Sequence, residues 1–287
     1  MRKVLGIIGS PRKLGNCELM VKEIANRIPE KHHLSLLRLA DFDIRLCRGC
    51  YNCLTDNGNC KVRDDFPMVA RAMAEADAFI VAVPTYFLGP NASLKLLLDR
   101  SMGFSEQVWG KPAVGVVLAG MEGKEGYARL GLLNFLSLIL ADIKGVEVVY
   151  AALPGEAVIE DKNLNAAKRL GAALFGHPLP KGSPACPVCG SDTFRFVDRF
   201  HVQCMLCSNP GTLDTSSGRP AFLINRSDHG FFLAPEGAKT HKQWLRDMKK
   251  KFSEKRKELK EAALSYLRDG DWIKPEKGVE PEEPGPA

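Results

Sequence analysis

Short apolar runs alternate with longer amphipathic ones along the first 178 residues. VLGIIG, LSLLRLA, AFIVAVP, PAVGVVLAG and VEVVYAALP are nearly unbroken in Val, Ile, Leu and Ala and read as strands. NCELMVKEIANRI, DDFPMVARAMAEA, SLKLLLDRSMG, GYARLGLLNFLSLILADIKG and NLNAAKRLGAALFG place apolar residues three and four apart and read as helices. Strict alternation of strand and helix predicts an α/β domain over 1–178. Strands this continuously apolar are covered on both faces, and parallel neighbours need helical crossovers, so a doubly wound five-stranded parallel sheet follows.

The pattern breaks after Gly176. HPLPKGSPACPVCG is rich in proline and glycine and marks a linker near residue 180. Residues 179–235 then carry short strands and turns (TFRFVDRFHVQC, PAFLINR, GFFLAP), too little chain to support a core without a staple. A basic helix is expected over 236–270. The last stretch, 271–287, is proline-rich and charged, with no apolar residue larger than valine after 274, and reads as a disordered tail.

Composition narrows the class. Hydrophobic content of 45% with 26% charged residues suits a soluble protein, and no apolar run approaches the length of a membrane span. The N-terminal apolar stretch is cut by Gly9 and Pro11 and lacks a small-residue cleavage site, so a cytoplasmic location is expected. The net charge of +6 lies largely in HKQWLRDMKKKFSEKRKELK, where glutamates are interspersed, so a solvated helix face outranks nucleic-acid binding. In a reducing compartment nine cysteines argue for metal or redox use.

Between the first strand and first helix lies GSPRKLGN, where backbone N–H groups and the positive end of the helix dipole favour a phosphate. Ser10 and Asn16 can donate to phosphate oxygens, and Arg12 or Lys13 can supply charge. The loop is neither G-x-G-x-x-G nor a Walker loop, which disfavours a dinucleotide fold or an ATPase. A second stretch, VPTYFLGPNASLKLLLDR, begins at the C-terminal end of the third strand, where open α/β sheets bind ligands. Together, G-S-P-R-K-x-G-N and P-T-Y-F followed by L-K-x-x-x-D-R resemble the NADPH-dependent FMN reductase-like branch of the flavodoxin-like superfamily. The resemblance implies phosphate contacts from Ser10, Arg12, Asn16 and Cys17, and flavin-ring contacts from Pro84, Thr85, Tyr86 and Phe87. It further implies that the glycine-rich loop from Ala119 to Tyr127, with Gly120 as its contact, borders the ring. Cys17 stands where the family usually has Ser or Thr. A thiol is a weaker donor, although the backbone N–H remains.

The cysteines divide into two sets. Cys47, Cys50, Cys53 and Cys60 follow the second strand with spacings of two, two and six. Zinc can be held this way, but C-x2-C-x2-C recurs in cubane clusters, and the fourth cysteine is not followed by proline as in two-cluster ferredoxins, so a single [4Fe-4S] cluster is favoured. The segment resembles the compact cysteine motif of the iron-sulfur flavoproteins. Asp64 and Asp65 resemble the acidic pair opening the next helix in that family, and Asp65 is also a local N-cap candidate. Gly49 and Gly58 ease the backbone around a bulky centre, and Arg48 and Lys61 offset its charge. Cys186, Cys189, Cys204 and Cys207 form two C-x2-C knuckles around a pair of strands, a tetrathiolate pattern. Zinc is favoured there, with iron in a rubredoxin-like site as the alternative. His201 and His229 are expected to be surface residues.

These readings converge on an oxidoreductase using FMN, a [4Fe-4S] cluster and a ribbon zinc. The resemblance implies ferredoxin or NAD(P)H as donor to a small-molecule or protein acceptor, and a homo-oligomer is expected. An electron-transfer module docking through the basic helix, and a zinc-ribbon nucleic-acid binder, are the rival readings.

Overall fold

The computed structural model describes residues 1–54, 60–182, 184–218, 220–227, 233–267, 269–271 and 273. The chain divides into two compact units, Met1–Gln243 and Trp244–Ala287. Thus the sheet and the ribbon belong to one unit. The tail expected over 271–287 lies largely, and His229 wholly, outside the described residues; of the expected GFFLAP strand, 230–232 lie outside them and the rest is not strand, Pro235 opening a helix.

Five parallel strands build the main sheet: β1 (Arg2–Ile8), β2 (His32–Arg38), β3 (Ala78–Tyr86), β5 (Pro112–Ala119) and β6 (Asp142–Tyr150), in the order β2-β1-β3-β5-β6. A two-residue strand, β4 (Gly89–Pro90), folds back antiparallel on the end of β3. The four crossovers are α1 (Asn16–Asn26), α2 (Phe66–Glu75), α3 (Ala92–Asp99) and α4 (Ala128–Leu138), and α5 (Asp161–Leu174) follows the last strand. Period-two alternation sorts the strands between two cores. Val4, Ile8, Ile80 and Val116 face Met20, Ile24 and Leu170 of α1 and α5. Leu5, Ile7, Phe79 and Val81 face Met73, Leu97 and Phe135 of α2, α3 and α4. Burial of such side chains contributes about 1.5–3 kcal/mol each, so the two layers dominate stability. α1 seats closely because Gly6 leaves room for Val21: a Cβ there would sit 2.3 Å from its methyl.

The last strand differs from expectation. The apolar run of α4 suggested helix as far as residue 145 and strand over 146–154. Instead the helix stops at Leu138, Leu140 turns the chain at φ 52°, and β6 begins at Asp142. Pairing with β5, from Pro112 opposite Asp142 onward, gives those backbone groups partners that helical continuation would deny them. The local pattern could not report that pairing.

Beyond α5 the linker runs along β6, with Leu179 N–H donating to Lys144 O at 2.6 Å. The ribbon follows as a four-stranded antiparallel sheet of β7 (Phe194–Phe196), β8 (His201–Cys204), β9 (Pro210–Asp214) and β10 (Ala221–Ile224), in the order β10-β9-β8-β7. β9 was not legible in the sequence. Arg129 of α4 holds Asp192 at 2.7 Å, pinning the ribbon to the sheet domain. The C-terminal helix is two helices, α6 (Pro235–Glu254) and α7 (Arg256–Leu264). Lys242 of α6 is buried, holding Glu106 at 2.7 Å with its amine 5.8 Å from the Trp109 ring centre. No helix among the described residues is long and apolar enough to cross a membrane.

One buried acid shapes the loop after β1. Glu18, in the first turn of α1, accepts from Leu14 N–H at 2.9 Å, Lys22 Nζ at 2.6 Å and Arg38 Nη2 at 2.6 Å. Leu14 is held at φ 52°, unusual for a residue with a side chain. Burial alone would raise the Glu18 pKa, but the hydrogen bonds from Lys22, Leu14 and Arg38 together pull it down to about 2. A depressed carboxyl pKa stabilises the fold above its unfolded value and ceases to do so as pH falls through the folded value. Glu18→Gln is therefore expected to lower the melting temperature by several degrees at pH 7, with the gap to the parent protein closing as pH falls from about 4.5 to 2. Thermal melts across that range check it, and a gap independent of pH would refute it.

Candidate functional site

The β1–α1, β3–β4, β5–α4 and β6–α5 loops meet at the C-terminal edge of the sheet. Between them lies an open cavity of about 220 Å³ lined by residues that include Ser10, Arg12, Asn16, Cys17, Tyr86 and Gly120. α1 opens into it with Gly15 as N-cap in extended backbone, and no side chain caps the helix. Donors at the positive end of the helix are thereby left for an anion. Opposite, Pro84 and Thr85 complete the wall beside Tyr86, and Thr85 Oγ1 is buried without a hydrogen-bond partner. A hydroxyl in that state is a polar group awaiting a ligand, so the cavity suits a phosphorylated ligand with hydrogen-bonding ring edges.

The expected site residues have different fates. Ser10 is buried and its Oγ accepts from Arg12 N–H at 3.3 Å, shaping the loop. Arg12 lines the cavity from an exposed position, whereas Lys13 is exposed and not among the lining residues. Asn16 spends its side chain on protein: Nδ2 donates to Leu153 O at 3.0 Å and Ala151 O at 3.3 Å, and Oδ1 accepts from Gly155 N–H at 2.9 Å. It ties the first loop to the one after β6. Burial pushes the Cys17 thiol up to about 12, so it stays protonated and unreactive at neutral pH.

Tyr86 reaches the cavity, but Phe87 points to solvent and is fully exposed. Phe87 and Leu88 form the tight turn between β3 and β4 at φ 48° and 65°, strained for bulky residues. Ala151, Ala152 and Pro154 also line the cavity and were not anticipated. Their only sequence signal is their place just after a strand that ends at the same sheet edge.

The second cysteine set is closed. The ligand atoms of Cys186, Cys189, Cys204 and Cys207 all lie within 4.8 Å of one another. Sγ of Cys186 and Cys207 are 3.8 Å apart, and those of Cys189 and Cys204 are 3.5 Å apart. Four thiolates about 2.3 Å from one metal span tetrahedral edges of roughly 3.8 Å, so the set fits a tetrathiolate ion. The thiol of Cys189 and the backbone N–H groups of Cys207 and Leu206 lower the Cys204 pKa to about 5 despite burial. Asn209 Nδ2 donates to Cys207 Sγ at 3.2 Å. His201 is exposed, paired with Asp198, and outside the set.

The first set is looser. Cys47 and Cys50 are exposed, Cys53 and Cys60 half-buried, and the stretch 55–59, with Gly58, lies outside the described residues. Gly49 and Tyr51 sit at φ 61° and 56°, coiling the chain around the thiols. Burial raises the Cys53 pKa, as do Cys47 and Cys60, whose own thiols stand close enough to repel a second negative charge. Thiolates are soft ligands suited to iron or zinc, but among the described residues only the second set brings its ligand atoms within 4.8 Å of one another. Arg48 and Lys61 are exposed; the charge behind the loop is instead Arg100, whose side chain is only 1% accessible.

Arg100 grips Asp64, itself 0% accessible, through Nη1 and Nη2 and stacks 4.1 Å from the Phe66 ring centre. The acidic pair divides its work differently from expectation. Asp64 accepts from the N–H groups of Arg45 and Phe66, while the Asp65 carboxylate accepts from Asp43 N–H at 2.9 Å and does not cap α2. Local spacing could not choose between two adjacent aspartates; the buried arginine does.

Comparison with known proteins agrees with this arrangement. Residues 2–149 match the family model described as NADPH-dependent FMN reductase. An iron-sulfur flavoprotein of Methanocaldococcus jannaschii is 35% identical over 184 residues, covering 59% of this chain and 93% of the relative. Another, from Archaeoglobus fulgidus, is 34% identical over 182 residues, covering 60% of this chain and 78% of the relative. A solved flavone reductase superposes with a TM-score of 0.74 over 96% of this chain and 100% of its own at 17% identity, a likeness of fold that extends past the sheet domain. The sheet edge, its phosphate-type loop and the cysteine loop thus occur in a chain that belongs to the NADPH-dependent FMN reductase family, among the iron-sulfur flavoproteins, and is an FMN-dependent oxidoreductase.

Proposed function

We propose that the chain carries FMN in the sheet-edge cavity, a [4Fe-4S] cluster on Cys47, Cys50, Cys53 and Cys60, and a structural zinc in the ribbon, and moves electrons between ferredoxin or NAD(P)H and a small-molecule or protein acceptor. The observation that carries the reading is a single cavity that joins an uncapped helix N-terminus, the Arg12 side chain and a buried, unpartnered Thr85 hydroxyl. Bound there, FMN would supply two-electron chemistry, and the cluster would supply single-electron exchange.

The chain's own residues have separable tasks. The N–H groups at the start of α1 and the Arg12 guanidinium hold the phosphate dianion, and Ser10 keeps the loop in shape. Tyr86 and Pro84 supply a flat apolar wall for the ring, and Thr85 offers its hydroxyl to a ring-edge heteroatom. Asn16 fixes the distance between the phosphate loop and the loop after β6. In the ribbon the tetrathiolate fastens β8 to the two knuckles, where a buried core of few apolar side chains could not.

Anaerobic purification with an absorption spectrum and metal analysis tests the whole: flavin bands with about four irons and one zinc per chain are expected. A colourless protein with two zincs would refute it. The phosphate assignment has its own test. Arg12→Ala is expected to weaken FMN binding about tenfold, the loss of a charge-assisted hydrogen bond of roughly 1.5 kcal/mol, while leaving the affinity for riboflavin, which has no phosphate, unchanged. Equal losses for both ligands would contradict it.

A further inference from the structure

The C-terminal helices change character along their length. The first turns of α6 are seated: Ala238 is wholly buried, and the buried Lys242 holds Glu106 at 2.7 Å. From Trp244 onward the chain forms the second compact unit, and every residue from Arg246 to Leu267 is exposed. Large apolar side chains are among them, with Phe252 57% and Leu259 43% exposed, and Trp244 just ahead of them is 47% exposed.

Alignment distinguishes these residues from apolar side chains scattered over a surface. The helical ladder continues through the junction of α6 and α7, since Lys255 N–H donates to Lys251 O and Leu259 N–H to Lys255 O, both at 3.0 Å. One register therefore holds for both helices. At about 100° per residue, all the apolar residues from Trp244 to Ala263 fall in a stripe about 100° wide, with Met248, Phe252 and Leu259 near its middle.

The charges are sorted as well. Over 244–263 there are eight Lys or Arg against four Asp or Glu. The acids, Asp247, Glu254, Glu258 and Glu261, share one sector about 60° wide outside the stripe. Cations hold both of its borders, Arg256 and Lys249 on one side and Lys251 on the other. Lys255 lies within the stripe and reaches out of it to Glu258 at 3.6 Å.

A second copy of this chain is a poor occupant for such a face. Apposed stripes would bring Lys255 against Lys255 and set the Lys249, Lys251 and Arg256 borders of two copies side by side. A nucleic acid would leave the stripe in water. An anionic surface with an apolar interior answers both features at once.

We infer that Trp244–Ala263 lies in the plane of a membrane carrying anionic phospholipid, with Trp244, Met248, Phe252 and Leu259 sunk to the acyl boundary and Lys249, Lys251 and Arg256 among the headgroups. Aromatic residues in the apolar stripe and cations along its edges are the composition of helices that lie on a bilayer. Lys255 extends its amine to the headgroup level over its own methylenes. The segment lies on the bilayer and does not span it, since no helix among the described residues is long and apolar enough to cross one. Each cation close to such a surface strengthens binding about fivefold, and the stripe adds the transfer of apolar area from water. This attachment holds whichever cofactors the chain carries.

Flotation of the full-length protein at low salt, with vesicles of phosphatidylcholine alone and of equal parts phosphatidylcholine and phosphatidylglycerol, is the test. Binding at least about tenfold tighter to the anionic vesicles is expected. Phe252→Ser changes no charge and is expected to weaken that binding about tenfold. Lys249→Gln combined with Arg256→Gln is expected to weaken it by more than about tenfold. All three positions are exposed, so the variants keep the fold, which matching circular dichroism checks. Failure to bind anionic vesicles would overturn the proposal, as would equal binding to both vesicles. Undiminished affinity in Phe252→Ser would overturn it too, since the stripe would then take no part. Poly-glutamate bound as tightly as the vesicles would assign the helix to an acidic protein and overturn the membrane assignment. A dimer that forms without vesicles in sedimentation velocity and is abolished by Phe252→Ser would assign the stripe to a second copy, with the same consequence.

Discussion

Parallel pairing is the constraint from which the rest of this structure follows. Two parallel strands cannot be joined by a tight turn, so a crossover helix joins each strand to the next, and those helices with α5 cover both faces of the sheet. All strands then end at the same edge. That edge collects the loops after β1, β3, β5 and β6, each relieved of packing duty because the core is complete below it. The open cavity proposed for the flavin is the space between those four loops.

Buried charge does the finer positioning. Glu18 gathers a backbone N–H, a lysine and an arginine to hold Leu14 in a left-handed turn, and so fixes the phosphate loop. Arg100 and Asp64 do the same for the base of the cysteine loop. Ion pairs of this kind are poor sources of net stability, since desolvation consumes most of the attraction. Their geometry, however, is over-determined by many directional bonds, which suits loops that must meet a cofactor at a set distance. Asn16 belongs with them: its residue type suggested a ligand contact, and its neighbours made it a tie between loops.

The ribbon shows the complementary solution. Its buried cluster is three cysteines with a few half-buried neighbours, so the four thiols stand where a larger domain would have an apolar core. It is anchored to the sheet domain along β6 and through Arg129, which makes it a fixed part of the first compact unit.

Much of this was legible in the chain itself. Period-two and three-to-four spacing placed the five strands and five helices, because side-chain direction alternates with backbone geometry and leaves a local trace. The two cysteine sets, the phosphate-type loop and the Pro-Thr-Tyr-Phe stretch were also visible, since ligand spacing and turn chemistry are short-range. The start of β6, the partners of Asn16, the outward turn of Phe87 and the choice of Asp64 over Asp65 were not. Each depends on a residue distant in sequence: β5 for the strand, the loop after β6 for Asn16, Tyr127, whose N–H donates to Leu88 O, for the turn, and Arg100 for the aspartate. Sequence by itself determined which elements form and which chemistry is on offer, because those are set by neighbours along the chain. Only the tertiary structure decided which side chain faces a cofactor and which holds the loop, because desolvation and hydrogen-bond competition act between groups that folding alone brings together.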